Sequence, residues 1–106
     1  METAVIIRYL KADTQNGKLT WTIGPVQSGV WTALLEAECD WQGQHFTLSK
    51  SLEIGMAGGH DINTVYLLSL SGTVIQQEYK RLLPWGNNLT SLARAVGLEK
   101  IDMTRS

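Results

Sequence analysis

Between Val30 and Ile54 apolar and polar residues alternate. Trp31, Ala33, Leu35, Ala37, Cys39 and Trp41 are interleaved with Thr32, Leu34, Glu36, Glu38 and Asp40. A period of two marks a β-strand with one buried face, because successive side chains leave the pleat on opposite sides. A two-residue loop at Gln42-Gly43 turns the chain back. It pairs Cys39 with Phe46, Ala37 with Leu48, Ala33 with Leu52 and Trp31 with Ile54. Lys50, opposite Leu35, is the one misfit. On the other face Asp40 meets His45 and Glu38 meets Thr47. A slip of one residue would turn His45, Thr47 and Ser49 onto the apolar face, so the register is strongly specified.

Residues 4–10, AVIIRYL, are β-branched and aromatic, which reads as a strand. Asn16-Gly17 is a strong hairpin signal and would set Leu10 opposite Ile23 and Ala12 opposite Trp21. Gly24-Pro25 and Ser28-Gly29 break the pattern before the second hairpin. After a glycine-rich connection at Gly55, Gly58 and Gly59, Asp61 stands as an N-cap. Val65, Leu68, Gly72, Ile75, Tyr79 and Leu82 then recur at steps of three and four, predicting a helix over 62–83 that stops before Pro84. Gly72 is its weak point, costing about 0.5–1 kcal/mol relative to Ala, so a hairpin turning at Ser71-Gly72 is the alternative. The helix formers of Gln76-Gln77-Glu78-Tyr79-Lys80-Arg81 favour the helix. A short helix follows over Leu89 to Val96, capped by Asn88 or Asn87 and ended by Gly97, and the tail after Lys100 frays.

Strands followed by helices predict an α+β fold. A four-stranded, mostly antiparallel sheet of two successive hairpins would be covered on one face by the long helix, with a short C-terminal helix after it. At 106 residues the chain fits one domain over 1–106, and 43% hydrophobic against 18% charged residues excludes a disordered chain. Cys39 is the single cysteine, which excludes an intramolecular disulfide and a Cys-rich zinc site and suits a reducing compartment. No apolar run approaches a membrane span, and Glu2 lies in the opening segment. An unexported, cytoplasmic protein without a cofactor is expected.

A net charge of −1 gives no global field toward nucleic acid or anionic lipid. The charge is local instead. Residues 29–62 hold Glu36, Glu38, Asp40, Glu53 and Asp61 against Lys50, whereas 78–106 hold Lys80, Arg81, Arg94, Lys100 and Arg105 against Glu78, Glu99 and Asp102.

Glu36, Glu38 and Asp40 would project from one strand face about 7 Å apart. General-acid chemistry needs a desolvated carboxyl, and nothing in the row predicts one. Cys39 and Asp40 leave the strand on opposite faces, so the hairpin does not join the thiol to His45, and no catalytic residue is assigned. The segment from Gly55 to Asp61 could hold an anion at a helix start, yet it lacks the ending of a P-loop and the G-x-G-x-x-G spacing. His60 and Asp61 lack further zinc ligands nearby. Trp21, Trp31 and Trp41 fall on core faces. Trp41 beside the hairpin tip and Trp85 in Pro84-Trp85-Gly86 are expected to be partly exposed, where Trp is a favoured interface anchor. Asn88-Leu89-Thr90 matches a glycosylation sequon but reads as a helix cap.

These residues point to a small non-enzymatic protein-binding module, an adaptor or inhibitor. Its contacts would be Glu36, Glu38, Asp40, Trp41 and Trp85, and its partner a protein with a basic surface. Two sheet edges and a face left uncovered by one helix predict a homodimer. The alternative is nucleic-acid binding through Arg8, Lys11, Lys80, Arg81 and Arg94 on the sheet and the C-terminal helices.

Overall fold

The structure is a computed structural model that describes residues 2–25, 33–54, 62–81 and 85–98. Its elements in chain order are α1 (Thr3–Gln15), β1 (Thr22–Pro25), β2 (Ala33–Trp41), β3 (Gln44–Ile54), β4 (Ile62–Leu70), β5 (Thr73–Tyr79) and α2 (Leu89–Val96). The five strands form one antiparallel sheet in the order β1-β2-β3-β4-β5. The α+β class is as expected, with five strands in place of four and a helix at the start of the chain.

Residues 4–10 are helical and not a strand. Ile6, Ile7 and Leu10 are buried, at the spacing of a helix stripe. Ala4, Arg8, Lys11 and Ala12 around them are good helix formers. Asn16-Gly17 ends this helix and turns no hairpin. Gly17 adopts φ +75°, its N–H bonds the Thr14 carbonyl at 3.2 Å, and the Lys18 N–H bonds the Asp13 carbonyl at 2.8 Å. These two bonds make a Schellman closure, which needs a left-handed residue at its centre. β1 then pairs with β2, not with residues 4–10, setting Ile23 opposite Ala37.

The β2–β3 hairpin has the predicted register at Cys39↔Phe46, Ala37↔Leu48, Glu38↔Thr47, Asp40↔His45 and Leu35↔Lys50. One pair differs. A bulge between Ala33 and Leu35 sets Ala33 opposite Ser51 in place of Leu52. Trp31, the glycine segment with His60 and Asp61, and the tail lie outside the described residues.

Residues 62–79 form a hairpin, the alternative that Gly72 raised, and the helix over 62–83 is not formed. Ser71 and Gly72 adopt φ +50° and +88°, the two left-handed residues of a type I′ turn. A helix stripe through Val65, Leu68 and Gly72 would leave Tyr66 to one side. In the sheet Tyr66 and Leu68 point the same way from β4 and both are fully buried. Complete burial of a large side chain contributes about 1.5–3 kcal/mol, more than the few tenths by which helix propensities differ among these residues.

α2 matches the expectation closely. Asn88 and Ser91 form a reciprocal capping box, the Asn88 side chain accepting from the Ser91 N–H at 2.8 Å and the Ser91 hydroxyl from the Asn88 N–H at 3.2 Å. Gly97 closes the helix at φ +101°. Both helices pack on one face of the sheet. Ile6, Ile7 and Leu10 of α1 and Leu89, Leu92 and Ala93 of α2 share one core with Leu35, Ala37, Cys39, Phe46, Leu48, Tyr66 and Leu68. Leu19, Trp21 and Ile23 are partly buried against that core. Glu36, Glu38 and Asp40 alternate with these β2 core residues and so occupy the other face.

Candidate functional site

The acidic row lies on the sheet face opposite the two described helices, a face on which Ser49, Ser51 and Val65 are buried. Glu38 and Asp40 are exposed, and Glu36 is half-buried with Oε2 accepting from the Ser49 hydroxyl at 3.4 Å. The strand pleat dictates this line of carboxylates, since the intervening Ala37, Cys39 and Trp41 are held in the core.

His45 stands across from Asp40 and touches two of the three acids. Its Nδ1 lies 3.0 Å from Asp40 Oδ1 and its Nε2 lies 3.4 Å from Glu38 Oε1. Neutral imidazole has one N–H, so both nitrogens donate to carboxylates only in the imidazolium form. The bond to Asp40, then that to Glu38, raises the His45 pKa above its ordinary value of 6.5. A shallow pocket of about 280 Å³ opens beside this group, lined by Thr20, Thr22, Glu38, Cys39, Asp40 and His45.

Cys39 is buried on the helix-facing side, and desolvation, with the Asp40 charge adding to it, pushes its thiol up to about 12. A thiol so held is not a nucleophile at neutral pH. Among the described residues no group of three or more His, Cys, Asp and Glu is arranged to hold a metal ion.

Trp41 corrects the expectation of partial exposure. Only 8% of its surface is accessible, because the ring stacks on Tyr9 at 6.2 Å and meets Phe46 edge-on at 6.0 Å. It borders the acidic row from the other side of the strand and presents no surface there. Trp85 is 69% exposed, as expected. It belongs to the helix side of the molecule. The carbonyl of neighbouring Gly86 accepts from Lys11 Nζ at 2.6 Å, and the Trp85 carbonyl accepts from Asn88 Nδ2 at 2.9 Å.

The basic residues do not line the sheet. Arg8 and Lys11 lie on α1 and Arg94 in the last turn of α2, while Lys80 and Arg81 follow β5. The Arg8 guanidinium sits 5.2 Å from the Tyr9 ring centre, and Arg81 Nε lies 3.5 Å from Glu78 Oε1. None of these five lies within a strand, and their positive charge belongs to the helix layer and the β5 margin.

Two exposed residues of the acidic face escaped the sequence reading. Val74 and Tyr79 are 53% and 51% exposed. Val74 pairs with Ser69 and Tyr79 with Val65, residues that point away from the core partners Leu68 and Tyr66. The hairpin alternative at Gly72 was the signal that could have placed them. No family model, curated protein or solved structure matches the chain.

Proposed function

We propose that the protein is a non-enzymatic cytoplasmic binding module, an adaptor or inhibitor, that engages a basic protein surface through Glu36, Glu38 and Asp40. The observation that carries this reading is the line of three carboxylates on the sheet face opposite the two helices, of which Glu38 and Asp40 are exposed. Such a line steers a cationic partner and fixes its register on the strand. Trp41 and Trp85 drop out of this surface, the first buried and the second on the helix side.

The homodimer expected from two sheet edges and a face left uncovered by one helix draws less support from the edges. β1 has four residues and ends in Pro25, and β5 is irregular opposite Leu68 and Ser69. Short edges, proline and bulges are the features that block edge pairing.

Affinity capture from a lysate of the source organism, with and without nuclease, tests the proposal. A stoichiometric protein that survives nuclease and is lost with E36Q/E38Q/D40N is the expected result. Nuclease-sensitive capture, or capture unchanged by the triple substitution, would overturn it.

A further inference from the structure

The shallow pocket of about 280 Å³ beside the β2–β3 hairpin lies where β1 meets β2, since Thr22 pairs with Glu38 and both line it with Thr20, Asp40 and His45. Pockets that enclose whole small ligands run to roughly 300–1,000 Å³, so this one is sized for a single side chain. Its lining states the chemistry of that side chain. Two carboxylates and two exposed threonine hydroxyls offer acceptors, and of the lining residues only His45 can carry a positive charge.

His45 already shows how a cation sits there. With Nδ1 at 3.0 Å from Asp40 Oδ1 and Nε2 at 3.4 Å from Glu38 Oε1, its ring is a planar cation whose N–H donors span the two acids. Guanidinium is the other side-chain cation of that planar kind, whereas the Lys ammonium is a compact point charge. Each contact uses one oxygen of its carboxylate, and a carboxylate accepts at both. The ring is free to leave. It is about half exposed, and its backbone is held independently, the His45 carbonyl accepting from the Ser71 N–H at 2.8 Å. Asp40 and Glu38 are the charged groups that act on it, while Thr47 beside Glu38 and Ser71 in the β4–β5 turn are uncharged. Neutral imidazole keeps one N–H, so loss of the proton removes the donor from one of the two acids.

We propose that this pocket receives an arginine side chain of the partner protein, and that protonated His45 is its internal competitor, held on the same two carboxylates until the arginine displaces it. This rests on the reading of the acidic row as a binding surface, and adds the partner's anchoring residue and a pH gate. At acid pH an arriving guanidinium meets a like charge already bonded to both acids. At alkaline pH it meets carboxylates short of a donor. Binding therefore expels the His45 proton, and affinity rises as pH rises through the His45 titration.

The test uses a tetramethylrhodamine-labelled Arg-Gly-Arg-Gly-Arg peptide and its Lys counterpart. Anisotropy titrations at pH 5.5 and pH 9 compare the full chain with H45Q and E38Q/D40N, all three positions being exposed, and circular dichroism checks that each variant keeps its fold. For the Arg peptide the expected result is a gain of roughly two- to fivefold in affinity from acid to alkaline pH, the scale of an exposed ion pair. H45Q should bind at pH 5.5 as the wild type does at pH 9. The Lys peptide should bind more weakly than the Arg peptide at pH 9, and E38Q/D40N should lose roughly threefold or more. In the wild type, NMR should show the His45 titration moved to lower pH by saturating Arg peptide. If E38Q/D40N weakens binding but the wild type binds equally at both pH values, H45Q keeps the pH dependence, or Lys binds as tightly as Arg, the proposal is overturned and the acidic-face reading stands. If E38Q/D40N binds like the wild type, both are overturned. If neither peptide binds, the proposal fails and the capture experiment alone decides the acidic-face reading.

Discussion

The Trp41 indole N–H donates to Asp13 Oδ2 at 2.9 Å and so ties the end of β2 to the last turn of α1. The ring itself fills the space between Tyr9 and Phe46. A residue that stands next to Asp40 in sequence thus works for the fold and not for the surface.

Removing the indole should therefore cost stability. W41A is expected to lose about 3–5 kcal/mol, the range for truncating a buried aromatic residue. D13A, which leaves the indole N–H without its acceptor, should lose about 1–3 kcal/mol. Urea denaturation measures both. A loss well under 1 kcal/mol for W41A would show that Trp41 is not a core residue.

Glu78 fastens α2 to the edge of the sheet. Its Oε2 accepts from the backbone N–H of Leu89, the first residue of α2, at 3.3 Å and from Gln76 Nε2 at 3.1 Å. Its side chain is 12% exposed, and Oε1 has no hydrogen bond, with Arg81 Nε standing 3.5 Å away. A carboxylate at a helix N-terminus also meets the positive end of the helix dipole. E78A should cost about 1–2 kcal/mol and speed amide exchange in the first turn of α2. R81Q, removing a cation that is itself mostly exposed, should cost under about 1 kcal/mol. Equal stability of E78A and the wild type in thermal melts would contradict this role.

His45 makes stability depend on pH in a definite direction. Its folded pKa is raised by Asp40 and Glu38, so the folded state holds the proton more tightly than the unfolded chain. The stabilisation is complete below the ordinary value of 6.5 and is lost as pH rises through the raised value. H45Q should remove that part of the pH dependence, read from melting temperatures between pH 5 and 9. A steeper fall in stability for H45Q than for the wild type above pH 6.5 would be inconsistent with the pairing. The same deprotonation leaves the acidic row one positive charge poorer, so a cationic partner should bind more tightly on the alkaline side.

Trp85 provides a control on the other side of the molecule. It is largely exposed, and its backbone is held by Asn88 while neighbouring Gly86 is held by Lys11. W85A should change stability by no more than about 0.5 kcal/mol and leave capture through the acidic face unchanged. Loss of that partner in W85A would move the interface to the helix layer.

The legible parts of the fold are those where one period and one turn agreed. From Leu35 to Phe46, strict alternation and Gln42-Gly43 specify the same hairpin, and the register that places Asp40 on His45 follows directly. Gly97 marks the end of α2 as directly, and of the two candidate caps, Asn87 and Asn88, the structure uses Asn88. Two signals had two meanings. Asn16-Gly17 serves a hairpin or a helix end, because both need a left-handed residue, and the neighbouring Ile6, Ile7 and Leu10 decide the matter by their spacing. Around Gly72 the helix formers Gln76 to Arg81 outweighed the β-branched run before it, although burial of Tyr66 and Leu68 in a central strand is the larger energy. That misreading also concealed Val74 and Tyr79. The acidic row was legible from β2 alone, whereas these two needed the fifth strand.

Hydrogen exchange on the complex with a captured or synthetic cationic partner would test the binding surface most directly. Slowed exchange should fall on β2 and the start of β3, from Glu36 to Thr47, and leave α1 and α2 unchanged. Protection confined to α1, α2 and the Trp85 turn, with β2 and β3 unaffected, would contradict the assignment of function to the acidic face.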